Sequence, residues 1–322
     1  MNALHPKVAV VGAGNVGTRF AYAAAIKGVA RHLVLLDLNV RRLEGDVADL
    51  SHGEPYFPHP VKVQAGSLED LRGSDLVVVT AGRNQRPGET RMDLVRDNVR
   101  LFEDLIPRVV EAAPGVVLLV VTNPVDVLAK VAWELAGRPP GRVFGSGTVL
   151  DSARLRHALG RHCGVDPRSV HAYVLGEHGD TEFPLWSRAT IGNASVREFC
   201  ADCERAGDCD PDERLVATFR EVRDAAYHVI DRKGETSFGV GLAMVRIAQA
   251  VINDENSVLP VSTRVPEFYG LGDVGDVFLG LPAVVNRGGV RAVLQLEMEP
   301  AEREALERSA AAIRRVLDAV GY

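Results

Sequence analysis

Four cysteines in 322 residues are too few for a disulfide framework, and in a reducing compartment Cys163, Cys200, Cys203 and Cys209 stay thiols. Long apolar runs are also missing. Val116 to Val121 is far shorter than the ~20 residues a membrane-spanning helix needs, and no charged segment leads into an apolar signal core at the N-terminus. A cytoplasmic protein is expected. Positive charge is not in excess: 37 Lys and Arg against 43 Asp and Glu leave a net charge of -6, which disfavours nucleic acid as the main partner because phosphate neutralisation needs basic surface. Cys200, Cys203 and Cys209 form C-x-x-C-x5-C in a polar, acidic stretch, a spacing able to hold a soft metal. Structural zinc wants four ligands, however, and neither a second pair nor a nearby His completes the set. The expectation is an exposed loop with incidental thiols and no metal.

What the chain does have is a globular composition, 46% hydrophobic and 25% charged, at a length that supports two domains. No repeat or low-complexity linker separates them, so the second should pack directly on the first. Apolar runs alternate with helical patterns in the first half: Lys7 to Val11, Leu33 to Leu36, Val61 to Val63, Leu76 to Thr80, Val116 to Thr122 and Arg142 to Phe144, with helices near Arg91 to Ala113 and Pro124 to Leu135. That rhythm predicts βαβ units and a parallel, doubly wound α/β sheet, with ligands at the carboxyl ends of the strands. The loop starts Gly12, Asp37, Gly82, Asn123 and Ser146 should therefore line one crevice. The first run leads straight into Gly12-x-Gly14-x-x-Gly17 and a helix. In this arrangement Gly12 makes the turn, Gly14 lets the backbone approach a pyrophosphate, and Gly17 allows close packing at a helix N-terminus that favours negative charge. Asp37 ends the second run twenty residues beyond Gly17, placed to accept from ribose hydroxyls and to repel a ribose phosphate. A dinucleotide site for NAD rather than NADP follows, weakened slightly by Arg41 and Arg42.

Beyond Thr148 the rhythm changes to a helix, a strand pair around Gly192, helices near Asp212 to Arg232 and Gly239 to Ile252, strands Val258 to Val261 and Asp276 to Gly280, and a terminal helix Glu302 to Ala319. Within it, Gly176-Glu177-His178-Gly179-Asp180 displays an imidazole between glycines at the end of an apolar strand. That is either a solvent-exposed turn or a proton donor near its ordinary pKa of ~6.5. Asp151 and Arg154, three apart, share a helix face. An intrahelical salt bridge accounts for them alone; beside His178, Asp151 instead orients the ring while Arg154 forks onto a substrate carboxylate. The glycine-bounded loop Gly82 to Arg91 reads as a lid able to carry Arg91 onto a polarised carbonyl.

Six segments together resemble the L-lactate and malate dehydrogenase family over essentially the whole chain: Gly12-x-Gly14-x-x-Gly17 with Asp37; Thr80-Ala81-Gly82; Gln85-Arg86-Pro87-Gly88-Glu89-Thr90-Arg91; Thr122-Asn123-Pro124; Gly145-Ser146-Gly147-Thr148-x-x-Asp151-x-x-Arg154; and Gly176 to Asp180. The resemblance implies a Rossmann NAD-binding domain over 1–145 and an α+β catalytic domain over 146–322. It implies proton donation by His178, orientation by Asp151, carboxylate binding by Arg154 and carbonyl polarisation by Arg91. Thr236 is placed at the pocket wall, and Asn123 and Ser146 against substrate or nicotinamide. Asn15, Val16, Thr80, Ala81, Gly82 and Val121 join the cofactor-binding set. At Gln85 malate dehydrogenases carry an arginine that pairs with a second carboxylate; a neutral amide there implies pyruvate and L-lactate, although Arg86 next to it is charged. A malate or broad 2-hydroxy-acid dehydrogenase is the alternative within the family, and a non-catalytic NAD-binding sensor the one outside it. Arg156 and His171 read from the residues as solvated side chains. They also match an arginine and histidine that bind fructose bisphosphate between subunits of allosteric bacterial lactate dehydrogenases, which implies an activator and a homotetramer.

Overall fold

The protein was described as a computed structural model covering residues 5–83, 88–202 and 211–322. Gln85 and Arg86 lie outside the described residues, as do Cys203 and Cys209. The first half runs β1 (Lys7–Val11), α1 (Asn15–Ile26), β2 (His32–Leu36), α2 (Val40–His52), β3 (Lys62–Ala65), β4 (Leu76–Val79), α3 (Arg91–Ala112), β5 (Val117–Val120), α4 (Val125–Ala136) and β6 (Val143–Gly145). These six strands are parallel, in the order β3-β2-β1-β4-β5-β6 of a doubly wound fold. Strands β1, β2, β4 and β5 are nearly continuous in apolar residues because both faces are covered. Ala9, Val77 and Leu118 face α3, α4 and the terminal helix, while Val8, Leu33 and Leu76 face α1 and a late helix.

The second half continues with α5 (Val149–Cys163), β7 (Val170–His171), β8 (Val174–Leu175), β9 (Phe183–Pro184), β10 (Thr190–Ile191), β11 (Ala194–Ser195), α6 (Val196–Asp202), α7 (Pro211–Lys233), α8 (Phe238–Ile252), β12 (Ser257–Arg264), β13 (Phe278–Asn286), β14 (Gly289–Val293) and α9 (Pro300–Val320). Its long strands do not form a sheet of their own. β12, β13 and β14 add antiparallel to β6 and extend the first sheet to nine strands. The sequence expectation ended the last strand at Gly280 and contained no β14. The strand runs on through Pro282, which sits opposite Pro260 at a non-hydrogen-bonded pair, where neither owes the other a donor. Of the three thiols expected in a loop, Cys200 lies instead in α6, and the other two are outside the described residues. Among the described residues no helix is long and apolar enough to cross a membrane.

Candidate active site

Gly12 adopts φ 102°, and a Cβ there would run into the backbone of Ala81, so the β1 and β4 loops touch only because this residue is glycine. Thr80 supports the contact by donating to the Gly12 carbonyl. Gly14 is different. A Cβ on it would meet nothing within 4 Å, and it begins α1 with no side-chain cap and no acid in the first turn. With neither present, the N-terminal N–H groups of α1 suit a pyrophosphate. Asp37 is half-buried at the end of β2, where one carboxylate oxygen accepts from the Asn39 N–H at 2.9 Å. Asn15 accepts from Arg42 at 2.7 Å and donates to Glu235, tying the α1 start to the α7–α8 connection. Val16 is half-buried and Val121 buried, while Ser146 follows β6 with its N–H on the Val120 carbonyl at 2.8 Å. The residues present thus fit a dinucleotide.

A cavity of about 190 Å³ opens beside this cleft, lined by Arg91, Asn123, Asp151, Arg154, His178, Glu182 and residues of α7. His178 reaches it on a loop held from three sides. Gly176, at φ 92°, pairs with Gly280 of β13. Glu177 donates its N–H to Ser309, a fully buried residue of α9. The His178 N–H donates to Asp126 of α4 at 2.7 Å, and the other Asp126 oxygen accepts from Ser262 of β12 at 2.6 Å. The ring then reaches Asp151, with Nδ1 2.7 Å from its Oδ2. Asp151 is 2% exposed, and its second oxygen accepts from Arg154 at 2.8 Å. The two readings of the Asp151–Arg154 spacing therefore hold together: the intrahelical bridge forms, and the same carboxylate orients His178.

The charges follow from this packing. The carboxylate of Asp151 holds His178 up to about 9 despite burial, so its second nitrogen keeps a proton at neutral pH. Burial alone would raise Asp151, but the charges and hydrogen bonds of His178 and Arg154 outweigh it and keep the carboxyl below its ordinary value. Burial pushes Asp126 up to about 7 against its two hydrogen bonds, and it pushes Glu182 up as well, aided by the nearby Asp151 charge. Arg91 sits at the mouth, where it donates to Asp180 at 2.9 Å; Tyr227 of α7 donates to the other Asp180 oxygen at the same distance. Asn123 is exposed on the cavity wall, and its carbonyl accepts from the buried Asn98 at 3.0 Å.

Thr236, expected at the wall, lies in the α7–α8 connection and is not among the lining residues; Arg223, Ala226, Tyr227 and Ile230 of α7 form that side instead. Arg156 and His171 are both away from the cavity. Arg156 donates to the Pro167 carbonyl at 3.3 Å, and His171 is exposed on β7. The sequence reading missed Asp126, Glu182 and Ser262. Asp126 left a trace as a lone charge in the apolar run Val125 to Ala129, whereas nothing marks Ser262.

Residues 6–145 match the lactate/malate dehydrogenase NAD binding domain and residues 148–321 the lactate/malate dehydrogenase alpha/beta C-terminal domain. An L-lactate dehydrogenase of Priestia megaterium is 45% identical over 312 residues, 97% of this chain and 96% of the relative. One from Gloeobacter violaceus is 47% identical over 317 residues, 98% of this chain and 94% of the relative. Among solved structures, a lactate dehydrogenase from a Medee basin deep-sea metagenome library superposes with a TM-score of 0.93 at 41% identity, covering 99% of both chains. A minor L-lactate dehydrogenase from Enterococcus mundtii gives 0.92 at 39% identity over 98% of both. With both domains matched in order and relatives of this identity along nearly its full length, the chain belongs to the lactate/malate dehydrogenase family.

Proposed function

We propose that the chain is an NAD-dependent L-lactate dehydrogenase that interconverts pyruvate and L-lactate. The observation that carries the reading is the buried Asp151 shared by His178 and Arg154 on one cavity wall, which sets a proton donor beside a carboxylate fork. NADH, held along Gly12 to Gly17, Asp37, the Thr80 to Gly82 loop, Val121, Asn123 and Ser146, supplies a hydride to the keto carbon when bound. Arg154 takes the pyruvate carboxylate and fixes which face of the ketone is presented. Arg91 gives up an exposed pairing with Asp180, worth at most ~1 kcal/mol, for the oxygen that gains charge as the carbonyl is reduced. His178, carrying the proton that Asp151 stabilises, delivers it to that oxygen. Lactate oxidation runs these steps backwards and needs neutral His178.

Substrate choice is assigned to Gln85. An amide tolerates the methyl of pyruvate but leaves a second carboxylate unpaired, so oxaloacetate should be the poorer substrate. Comparative kcat/KM with NADH tests this, and Gln85→Arg should move the preference towards oxaloacetate. A parent that favours oxaloacetate points to malate dehydrogenase, and a variant with an unchanged ratio shows that Gln85 does not choose the substrate.

We further propose a cytoplasmic homotetramer activated by fructose bisphosphate. Arg156, half-buried on α5 and away from the cavity, and exposed His171 on β7 support it, because a symmetric contact would gather two copies of each into a cationic cluster that a sugar bisphosphate relieves. The activator should lower the KM for pyruvate and raise the particle mass. No change in either, read by kinetics and light scattering, overturns it.

A further inference from the structure

Glu182 lines the catalytic cavity, is 7% exposed, and takes no part in the steps above. Its carboxyl and the polar atoms of Asp151 and His178 all lie within 4.8 Å of one another. Arg154 and His178 lie near enough for their charges to act on it, but both make their hydrogen bonds to Asp151, at 2.8 and 2.7 Å. The groups acting on it are Asp151 and Arg154 from α5 and Glu177 and His178 from the β8 loop; Arg91 of α3, Asp180 and Arg223 of α7 line the same cavity. At the reacting end, protonated His178 and Arg154 set against Asp151 leave one positive charge, which matches one substrate carboxylate. An ionised Glu182 would cancel that charge. Only Arg91, exposed at the mouth and paired with Asp180, and Arg223 would then be left to attract the incoming anion.

We propose that Glu182 is a substrate-positioning residue that admits an anionic 2-keto acid only while its own carboxyl carries a proton. Burial and the neighbouring Asp151 charge both favour that proton and keep Glu182 neutral well above the usual carboxylate range. Binding of the keto acid therefore depends on two protons in the cavity, one on His178 and one on Glu182, instead of one. The proposal rests on the lactate dehydrogenase reading and adds to it the residue that couples anion entry to pH.

The test is the pH dependence of pyruvate reduction by the full-length enzyme between pH 6 and 10, with each enzyme normalised to its own kcat/KM at pH 7. In the parent, log(kcat/KM) should fall with a limiting slope of -2; in Glu182→Gln, whose amide does not ionise, the slope should be -1. At pH 10 the variant should then retain about tenfold more of its neutral-pH kcat/KM than the parent does, one proton being tenfold per pH unit. Binding of oxamate, an unreactive carboxylate of the same shape, to the enzyme–NADH complex should show the same change of slope without any turnover. A single-proton limb in the parent, or identical slopes in parent and variant by both readouts, overturns the role of Glu182. Absence of turnover with any 2-keto acid at pH 7 overturns instead the reading on which it rests.

Discussion

His178 is basic because the carboxylate beside it is buried and already ionised by a second cation. Asp151 receives His178 on one oxygen and Arg154 on the other, so its charge is held in place rather than quenched by water. The acid form of His178 is the one that reduces pyruvate. As pH rises through about 9 that form is lost, and the reduction should fall with it. Asp151→Asn removes the largest cause of the raised pKa. We expect kcat/KM for pyruvate at pH 7 to drop by about 10²-fold or more, the low end of what a positioned acid contributes, and the alkaline limb to move down towards ~6.5. If no limb near ~6.5 appears in the variant, the basicity belongs to another group. The proximity of Asp151 and His178 was legible as a possibility from their types, but the depth that makes their pairing strong was not.

At the scale of elements, two loops carry the site and they are built on opposite uses of glycine. The β1–α1 loop needs Gly12 for its own folding and leaves Gly14 over empty space; the β8 loop needs Gly176 because a Cβ there would meet Ser309 of α9. Gly14→Ala should therefore leave the cofactor-free protein within about 2 °C of the parent melting temperature, as an uncrowded site allows, while raising the Kd for NADH at least about tenfold by blocking close approach of the backbone. Gly12→Ala should instead destabilise the protein itself by more than ~1–2 kcal/mol, because the new residue must also hold φ 102°. Thermal melts with and without NADH separate the two. Equal loss of stability in both variants would show that Gly14 is structural. The first loop was readable from its motif, since the demands on its glycines are local. Of the second, only the histidine and its flanking glycines were visible; Asp126, Ser262 and Ser309, which hold it, come from α4, β12 and α9.

Across the whole molecule the sheet ignores the division between the two halves. β12 to β14 continue it beyond β6, and α8 supplies Met244, Ile247 and Val251 to the face of β1, β2 and β4 that α1 only partly covers. α9 brings Leu306, Ile313 and Leu317 into the core on the other side, where it packs against α3, α4 and β13. A fragment ending at residue 145 would therefore expose β6 as a bare edge and two apolar faces. It should lack a cooperative thermal transition by circular dichroism, whereas the full chain melts cooperatively. A sigmoidal melt of the fragment with retained NADH binding would show the first half to be an independent unit.

From the sequence alone came the features whose physics is short-ranged. Strands buried on both faces appear as unbroken apolar runs such as Leu76 to Val79, a pyrophosphate loop appears as glycines at fixed spacing, and Asp151 with Arg154 appears as a shared helix face. Tertiary structure alone decided which late strands joined the first sheet, that Asp126 would reach across 52 residues to the His178 backbone, that α7 rather than Thr236 would wall the cavity, and that Glu182 would be buried beside two other ionisable groups. The division has one cause. Backbone conformation and periodicity depend on neighbours along the chain, while the free energy of a charge depends on what excludes water around it, and those covering groups arrive from anywhere in the sequence.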